Sequence, residues 1–268
     1  MGKYQATGEF VTTVVEDGVG RLVLNRPQTL NALHPPMMAD ILQAVTAFAA
    51  DDGVRTMLIE GAGRAFSAGG DLDFLDEVMT MPPMEIKDDV YEFFAGGIKA
   101  IRLFPKPTVA AVNGAATGAG FEIALACDFR VAAEEALFVQ TWIKLGLISP
   151  LGGMGLLPRV VGLARANEML LLGTPVKGAE AERIGLANTC VPGDQLADSA
   201  MELARRLAAG PPLALRAMKE GIHRGMEQPQ MAEWEHNVYV QALLLNSEDY
   251  KEGVAALREK RQADFKGA

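Results

Sequence analysis

One carboxylic acid in the sequence has the surroundings of a catalytic acid or base. Glu122 lies in the segment GAGFEIALACD, where Phe121 and Ile123 on either side are apolar. A glutamate in the first turn of a helix is favoured by the helix dipole, and a positioned glutamate is also a common general acid or base. Glu122 considered alone fits both interpretations, so its meaning depends on the segments that precede it.

Two loops rich in Gly, Ala and Ser each follow an apolar strand pattern and precede a helical one. The loop GAGRAFSAGGD follows Val54–Ile59, and the loop NGAATGAG follows Thr108–Val112. Small residues let a ligand approach the backbone, and the first turn of a helix offers unpaired N–H donors. One such loop alone is most simply explained by tight strand-to-helix packing. Two of them converging on one point would form an oxyanion hole.

These loops do not have the pattern of a nucleotide site. Neither contains GxGxxG in a strand–turn–helix frame, and GxxxxGK[ST] does not occur in the sequence. The combination of two small-residue loops and a glutamate in an apolar helix therefore favours chemistry at a carbonyl group.

Hydrophobic periodicity predicts an α/β core followed by helices. The core, over residues 1–200, and a helical oligomerisation region, over residues 201–268, are not separated by a Pro/Ser-rich linker. The strands predicted in the core are Phe10–Val15, Val19–Leu24 (after an Asp17-Gly18 turn), Val54–Ile59, Thr108–Val112, Phe129–Ala132, Leu137–Val139 and Ala187–Val191. The predicted helices are Met37–Ala50, Leu72–Phe104 (broken at Met81-Pro82-Pro83), Phe121–Ala126, Leu163–Leu171, Gly178–Ile184, Gln195–Ala209, Pro211–Arg224, Met231–Asn246 and Asp249–Arg261.

The composition is that of an ordinary globular protein, with 49% hydrophobic and 22% charged residues in 268. A net charge of −9 without a basic block disfavours nucleic-acid binding. No apolar run approaches the roughly 18 residues of a membrane span, and the N-terminus lacks a signal or transit pattern, so we expect a cytoplasmic protein without a membrane partner. Two cysteines, Cys127 and Cys190, are too few for a disulfide framework, and the three histidines have no HExxH spacing, so no metal is expected.

The motifs in their order resemble the enoyl-CoA hydratase/isomerase (crotonase) family almost from end to end. Leu24–Pro27 with Asn31–Leu33 resembles LNRP…NAL, Arg64–Asp71 resembles AFSAGAD, and Lys106–Gly114 with Gly118–Glu122 resembles KPVIAAVNG…GGGxE. The tail LREKRQADFK is similar to the family's ending. The resemblance implies a spiral of ββα units with a helical C-terminal region that builds trimers, often paired into hexamers.

The resemblance also implies the parts of an active site that binds an acyl-CoA. The backbone N–H groups of Gly70 and Ala119 would form the oxyanion hole, although Ala119 stands where the family usually has Gly. Ala68 would lie against the adenine of CoA, and Leu257 and Lys260 would reach the CoA bound by a neighbouring subunit. No permanently bound cofactor is implied, because CoA arrives as part of the substrate. The further residues that we assign to the substrate or CoA site are Arg26, Asp71, Gln140 and Trp142.

The chain departs from the hydratase pattern at two positions. Family hydratases use a second glutamate in an FGQPE segment, where this chain has Trp142, and an Asp found in some isomerases and in aryl-CoA dehalogenases is here Pro150. Trp142 is interpreted first as a large pocket wall, which would also suit a flat or aromatic acyl group. Glu122 alone fits double-bond isomerisation more easily than fast hydration, because one base can remove a proton at one carbon and return it at another.

Other functions stay open at this point. Slow hydration, with Glu122 holding the water and Gln140 assisting, is one alternative, and an acyl-CoA-binding family member that has lost catalysis is another. The apolar residues Val254 and Leu257 in the tail would face water in a monomer, so we expect an oligomer.

Overall fold

The computed structural model describes residues 5–226 and 230–268, with side chains described outside residues 230–235. Within these residues the strands are β1 Val11–Glu16, β2 Val19–Leu24, β3 Thr56–Gly61, β4 Ala65–Ser67, β5 Thr108–Val112, β6 Ala115–Thr117, β7 Phe129–Ala133, β8 Leu137–Val139, β9 Val176–Lys177 and β10 Thr189–Val191. The helices are α1 Pro35–Ala50, α2 Leu72–Val78, α3 Pro83–Glu85, α4 Glu92–Arg102, α5 Ala119–Ala126, α6 Gly153–Val161, α7 Leu163–Leu171, α8 Gly178–Arg183, α9 Leu196–Ala208, α10 Pro212–Gly225, α11 Gln230–Leu244 and α12 Glu248–Glu259.

The first two strands form a hairpin whose turn follows from its two central residues. Asp17 has φ 51° and Gly18 has φ 76°, so both adopt the left-handed conformation that a two-residue hairpin turn requires. The predicted turn is confirmed, and β1 pairs antiparallel with β2 in the register Glu16 opposite Val19.

The larger sheet contains six strands in the order β1-β2-β3-β5-β7-β10, parallel from β2 onward. Every residue of β5 is buried, as expected for a central parallel strand covered on both faces. The carboxyl ends of β3 and β5 therefore lie side by side, and the two small-residue loops begin at the same edge of the sheet.

A second, smaller sheet has the order β4-β6-β8-β9. Two of its strands, β4 and β6, lie inside the segments predicted as loops, so that part of the prediction was wrong. Both are only three residues long and consist of Ala, Phe, Ser and Thr, which gives no alternating pattern to read. They pair in parallel with each other, which joins the two loops along their length.

The chain thus repeats one structural unit, which consists of a strand in the large sheet, a strand in the small sheet and a helix. β3, β4 and α2 form one such unit, and β5, β6 and α5 form the next. β7 and β8 repeat the strand pair and lead into a 3₁₀ turn at Thr141–Leu145. The expected α/β spiral of ββα units is confirmed.

Helix α9 covers the face of the large sheet opposite to α5. Ala200, Met201, Ala204 and Ala208 of this helix are buried against sheet residues. The predicted boundary near residue 200 lies inside this helix, and the division into two regions stays a prediction. The region after α9 is helical, as expected, and begins with α10.

No helix in the described part of the chain is both long and apolar enough to cross a bilayer. The cytoplasmic location stays a prediction.

Candidate active site

The two small-residue loops touch each other where the strands end. The Thr117 hydroxyl donates a hydrogen bond of 2.6 Å to the carbonyl of Ala68. Gly69, at φ 89°, packs so closely that a Cβ atom placed on it would lie 2.7 Å from the Thr117 carbonyl and 3.5 Å from the amide nitrogen of Ala119. Only glycine fits at this point, and its absence of a side chain brings the two loops together.

Gly70 and Ala119 each present a backbone N–H that no acceptor in the described part of the chain uses. Leu33 and Gly70 form a parallel β-bridge. In this bridge the Leu33 amide donates to the Gly69 carbonyl at 2.6 Å, and the Leu33 carbonyl accepts from the Asp71 amide at 2.9 Å. In such a parallel bridge the N–H of the middle residue points to the other side. Ala119 is the first residue of α5, where N–H groups have no intrahelical partner. Its backbone is helical, so a side chain at this position is accommodated.

The residue before α5 has a backbone conformation that requires glycine. Gly118 has φ 50° and ψ −121°, and a Cβ atom placed on it would lie 3.0 Å from Thr141 Oγ1 and 3.8 Å from Trp142 Nε1. The Trp142 indole therefore lies beside the start of α5, buried to 8% exposure. Its expected role as a large wall of the substrate pocket stays a prediction.

Glu122 is enclosed, and its two oxygens differ in their surroundings. Oε1 accepts from the Ser149 hydroxyl at 2.5 Å and from the amides of Gly153 at 2.8 Å and Leu151 at 3.3 Å. Oε2 is buried and has no hydrogen-bond partner among the described residues. Burial raises the pKa of Glu122, while the Ser149 hydroxyl, the two amides and, to the smallest extent, the Trp142 indole act to lower it.

The residues that hold Oε1 were not predicted from the sequence. Ser149, Leu151 and Gly153 come from the segment that leads into α6, and Gly153 has no room for a side chain because its Cβ would lie 2.1 Å from Ser149 Oγ. The only local signal is the Gly152-Gly153 pair directly before a helical pattern. Pro150, whose position was singled out, lies half-buried between two of these donors.

Tyr91 is a second residue near Glu122 that the sequence did not indicate. It ends the π-helical segment Ile86–Tyr91 between α3 and α4, a type of turn often found at functional sites. Burial raises the pKa of the Tyr91 phenol, and the charge of Glu122 adds to this effect. The two side chains therefore share one region of the protein.

Arg26 and Asp71, both predicted in the substrate site, contact each other. They form an ion pair, and Arg26 also donates to the carbonyl of Ala32 at 3.2 Å. The Asp71 carboxylate caps α2 by accepting from the amide of Phe74 at 3.2 Å. Burial would raise the pKa of Asp71, but Arg26 and this amide hold it below its usual range. The pair fixes the first loop against the end of β2, and its contact with a ligand stays a prediction.

Asn31, from the NAL motif, holds the same loop from inside. Its side chain donates to the carbonyls of Ala62 and Ala65, each at 2.9 Å, and accepts from the Arg26 amide at 2.8 Å. Ser67 donates to the Asn31 carbonyl at 2.8 Å. This motif residue therefore shapes the loop that presents Gly70.

The remaining predicted residues lie elsewhere or are buried without partners. Gln140 is fully buried beside Glu122, and its side chain has no hydrogen bond in the described structure. Leu257 and Lys260 are exposed on and just after α12, and no hydrogen bond or ion pair of the described residues links them to Gly70, Ala119 or Glu122. Among the side chains that the structure describes, in residues 5–226 and 236–268, no three His, Cys, Asp or Glu residues are grouped to hold a metal.

The fold is a spiral of ββα units in which two touching loops carry backbone amides without an acceptor among the described residues, next to an enclosed glutamate. A family model described as enoyl-CoA hydratase/isomerase matches residues 15–268, and the chain belongs to this family. Similar proteins and a similar solved structure carry names of the same family. The 1,2-epoxyphenylacetyl-CoA isomerase of Escherichia coli K12 is 38% identical over 97% of this chain and 99% of its own. The crotonyl-CoA hydratase of Syntrophomonas wolfei is 36% identical over 93% of this chain and 95% of its own.

A solved structure is similar over the same length. The enoyl-CoA hydratase from Polaromonas sp. JS666 has a TM-score of 0.91 and 32% identity, and the match covers 95% of this chain and 99% of that one. The relatives include an isomerase as well as hydratases, so the family alone does not choose between these reactions.

Proposed function

We propose that the protein binds an acyl-CoA thioester and moves a proton at its acyl chain through a stabilised enolate. The supporting observation is one arrangement: the unpaired N–H groups of Gly70 and Ala119 lie on loops that touch, and Glu122 follows Ala119 by one turn of α5. Each N–H aimed at a developing oxyanion is worth roughly 3–4 kcal/mol in mutational tests of such sites. A positioned acid or base contributes about 10²–10⁴-fold.

Glu122 uses its free oxygen for proton transfer in this proposal. Three donors occupy Oε1, so the proton of the neutral acid resides on Oε2, the oxygen without a partner. The carboxylate takes a proton from a carbon next to the thioester through Oε2, the electron pair moves onto the thioester oxygen, and the two amides stabilise its negative charge. The collapsing enolate takes the same proton back at a different carbon.

Double-bond isomerisation is the reaction that this arrangement supports best. It needs one base that also acts as the acid, and Trp142 stands where hydratases have their second glutamate. The raised pKa of Glu122 suits a group that must both accept and return a proton. Hydration with Gln140 assisting a water remains the alternative that the assay below distinguishes.

The proposal includes an oligomer that completes the CoA site. An apolar groove of about 760 Å³ runs between α10, α11 and α12, lined by Met218, Ile222, Val240, Leu244 and Leu257 among others. A second copy of the chain, as in the family's trimers, would cover it, and would bring Leu257 and Lys260 to a neighbour's CoA. Ala68 would contact the adenine there.

Glu122→Gln tests the proposed role. Gln keeps the acceptor oxygen for Ser149 and Gly153 but cannot act as a base that takes a proton from carbon, so we expect at least a 10²-fold loss of isomerisation of 3-enoyl-CoA esters and of α-proton exchange into deuterated water. Crotonyl-CoA is assayed in parallel, since its faster turnover would favour hydration. The exposed Glu202→Gln is the matched control.

Full activity of Glu122→Gln would contradict the assigned role. If the wild type binds acyl-CoA but shows neither turnover nor proton exchange with short, long and aromatic esters, the enzyme proposal is wrong and a binding function replaces it.

A further inference from the structure

A cavity of about 380 Å³ lies beside the start of β5, away from the site of Glu122. Phe104 and Pro105, which lead into β5, line this cavity, whereas the loop that presents Ala119 leaves β5 at its other end. Five residues of a strand span roughly 16 Å, so the cavity is separate from the proposed thioester site. Its volume falls in the range of small-molecule sites, roughly 300–1,000 Å³.

Three helices end around this cavity, and each brings a cation in its last turn. Arg102 ends α4, Arg159 lies in the last turn of α6, and Arg224 lies in that of α10. A helix C-terminus carries about half a negative charge, which explains part of this arrangement. Lys219 of α10 is a fourth cation in the wall, so the side-chain charge exceeds that of the three helix ends. The excess occurs in a chain whose net charge is −9.

The carboxylates near the cavity already have cations of their own. Glu220 lines the cavity but pairs with Arg216, on the preceding turn of α10, at 2.9 Å. Asp128 contacts the wall of the cavity through Lys219, at 2.7 Å. Burial lowers the pKa of Lys219, Asp128 opposes this effect, and the charge of Arg102 adds to it. The cations of the wall are therefore close enough to repel one another.

Arg159 has no carboxylate partner among the side chains that the structure describes. Its Nη1 donates to the carbonyl of Gly155 in its own helix at 2.6 Å, which leaves other N–H groups of the guanidinium for a ligand. A guanidinium can bind a carboxylate or a phosphate through two parallel hydrogen bonds. Arg102 and Arg224 interact with other groups of the chain as well, and they add positive charge at the same cavity. A cleft lined by one sign of charge concentrates ions of the opposite sign.

The remaining wall is apolar and determines which kind of anion fits. It consists of Leu103, Phe104, Pro105, Leu156 and Met226. Leu103 is 69% exposed, so its side chain gains most from a ligand that covers it. A bare phosphate would leave this apolar surface in water, whereas an anion with an apolar body would bury it, which is favourable.

We propose that this cavity binds an organic carboxylate with an apolar body, such as a free carboxylic acid of medium length. The carboxylate lies at Arg159, and the apolar body lies against Leu103 and Leu156. The inference goes beyond the proposed function and does not depend on it, because none of these residues belongs to the site of Glu122.

Titration calorimetry with the full chain compares octanoate with probes that lack one of its two parts. The alcohol 1-octanol keeps the apolar body without the charge, and acetate and inorganic phosphate keep a charge without the body. We expect octanoate to bind at least about tenfold more tightly than each of the three, because it makes both charge-assisted hydrogen bonds and apolar contacts. Saturating octanoyl-CoA should not compete with octanoate, since the proposed thioester site is elsewhere.

Two pairs of variants locate the bound octanoate. Leu103→Glu places a negative charge in the wall and should weaken octanoate binding at least about tenfold. Leu172→Glu is its control, because Leu103 and Leu172 each follow the last residue of a helix and are 69% and 73% exposed. Arg159→Gln should weaken binding about tenfold, whereas Arg183→Gln, in the last turn of α8, should leave it within about twofold.

Several results would overturn the carboxylate site. Octanoate that does not bind the wild type, or that binds no better than 1-octanol, would show that the cations do not recognise an anion. Tighter binding of phosphate than of octanoate would contradict the role of the apolar wall. Binding that survives both Leu103→Glu and Arg159→Gln, or that octanoyl-CoA abolishes, would place octanoate at a different part of the chain.

Discussion

At the scale of single residues, the two oxygens of Glu122 have different surroundings. One is held by a hydroxyl and two backbone amides, and the other is free. A carboxyl held in this way cannot rotate to exchange its oxygens without breaking three bonds. In our proposal Oε2 is therefore the atom that faces the substrate, and Ser149 contributes by position without touching the reacting atoms.

Ser149→Ala should change the pH dependence of the reaction. The Ser149 hydroxyl stabilises the carboxylate, so its removal should raise the pKa of Glu122 further and move the acidic limb of the rate profile to higher pH. We expect a fall in kcat of about tenfold with little change in KM, consistent with loss of one bond to a charged group. The measurement is kcat against pH for wild type, Ser149→Ala, the hydroxyl-retaining Ser149→Thr and the control Ser199→Ala. An unshifted limb in Ser149→Ala would remove Ser149 from the mechanism.

The pKa of Glu122 also predicts how stability depends on pH. Because burial raises this pKa in the folded state, the folded protein binds the proton more tightly than the unfolded chain. The stabilisation associated with the proton is complete below the ordinary carboxyl range and is lost as the pH rises through the folded pKa. Glu122→Gln carries no such charge, so its free energy of unfolding relative to wild type should increase with pH. Urea unfolding at several pH values above 4 measures this, and a constant difference would contradict it.

The sequence indicated some of these residues and not others for a physical reason. Glu122 is indicated because its polar side chain interrupts an apolar helix, and the two loops because small residues cluster in them, whereas Gly70 and Ala119 were assigned from the family resemblance. Ser149 and Tyr91 reach Glu122 from segments about 30 residues away on either side, and nothing local distinguishes them. Contacts of this kind are set by the packing of elements, which sequence patterns do not contain.

At the scale of elements, α10 is joined to the core by a buried ion pair. Lys219 on this helix contacts Asp128 at 2.7 Å, and donates to the carbonyl of Lys106 at 3.0 Å. Asp128 also accepts from both the amide and the hydroxyl of Thr108 at 2.9 Å. Burial would raise the pKa of Asp128, but His223, Lys219 and Thr108 hold it below its usual range. The start of β5 and the helix that lines the apolar groove are thereby linked.

Lys219→Met should destabilise the protein by about 3–5 kcal/mol, because it leaves the Asp128 charge buried without its cation. The double variant Lys219→Met/Asp128→Asn should recover part of this loss, since the unpaired charge is removed. Denaturant unfolding of the two variants gives the comparison, and the exposed pair Arg216→Met and Glu220→Gln provides a control, with changes below about 1 kcal/mol. A double variant less stable than Lys219→Met would contradict the explanation.

The elements differ in how well the sequence predicted them. β5 and α1 were found to within two residues at each end, because a buried strand and an amphipathic helix have strong periodic signals. The sequence predicts loops at β4 and β6, since three residues are too few to show a period and their pairing partners are distant in sequence. The pairing that brings the two loops together, on which the site depends, was therefore not available from local patterns.

At the scale of the whole molecule, a single chain exposes more apolar surface on its last helices than a monomer normally does. Met218 and Ile222 on α10 are 63% and 64% exposed, and Leu257 on α12 is 81% exposed. They border the same groove, although α10 and α12 come from different parts of the chain. A surface of this kind is typical of an interface, which agrees with the oligomer that we propose.

Negative charge placed in this groove should dissociate the oligomer. The effect of assembly on acyl-CoA binding can then be measured apart from the catalytic residues. Ile222→Glu with Met218→Glu puts two carboxylates on the apolar face, and desolvating them in an interface is unfavourable, so light scattering should show a fall from a trimer or hexamer to one chain. Val14→Glu, at a similarly exposed apolar residue of β1 opposite Arg21, is the control and should leave the mass unchanged. If Leu257 and Lys260 complete a neighbour's CoA site, the dissociated variant should have a raised KM for acyl-CoA.

Lys260→Ala should raise KM in the intact oligomer while leaving kcat within about twofold, because this side chain is proposed to hold the ligand and not the reacting atoms. A wild-type chain that scatters as a monomer and retains a low KM would show instead that each chain carries a complete site.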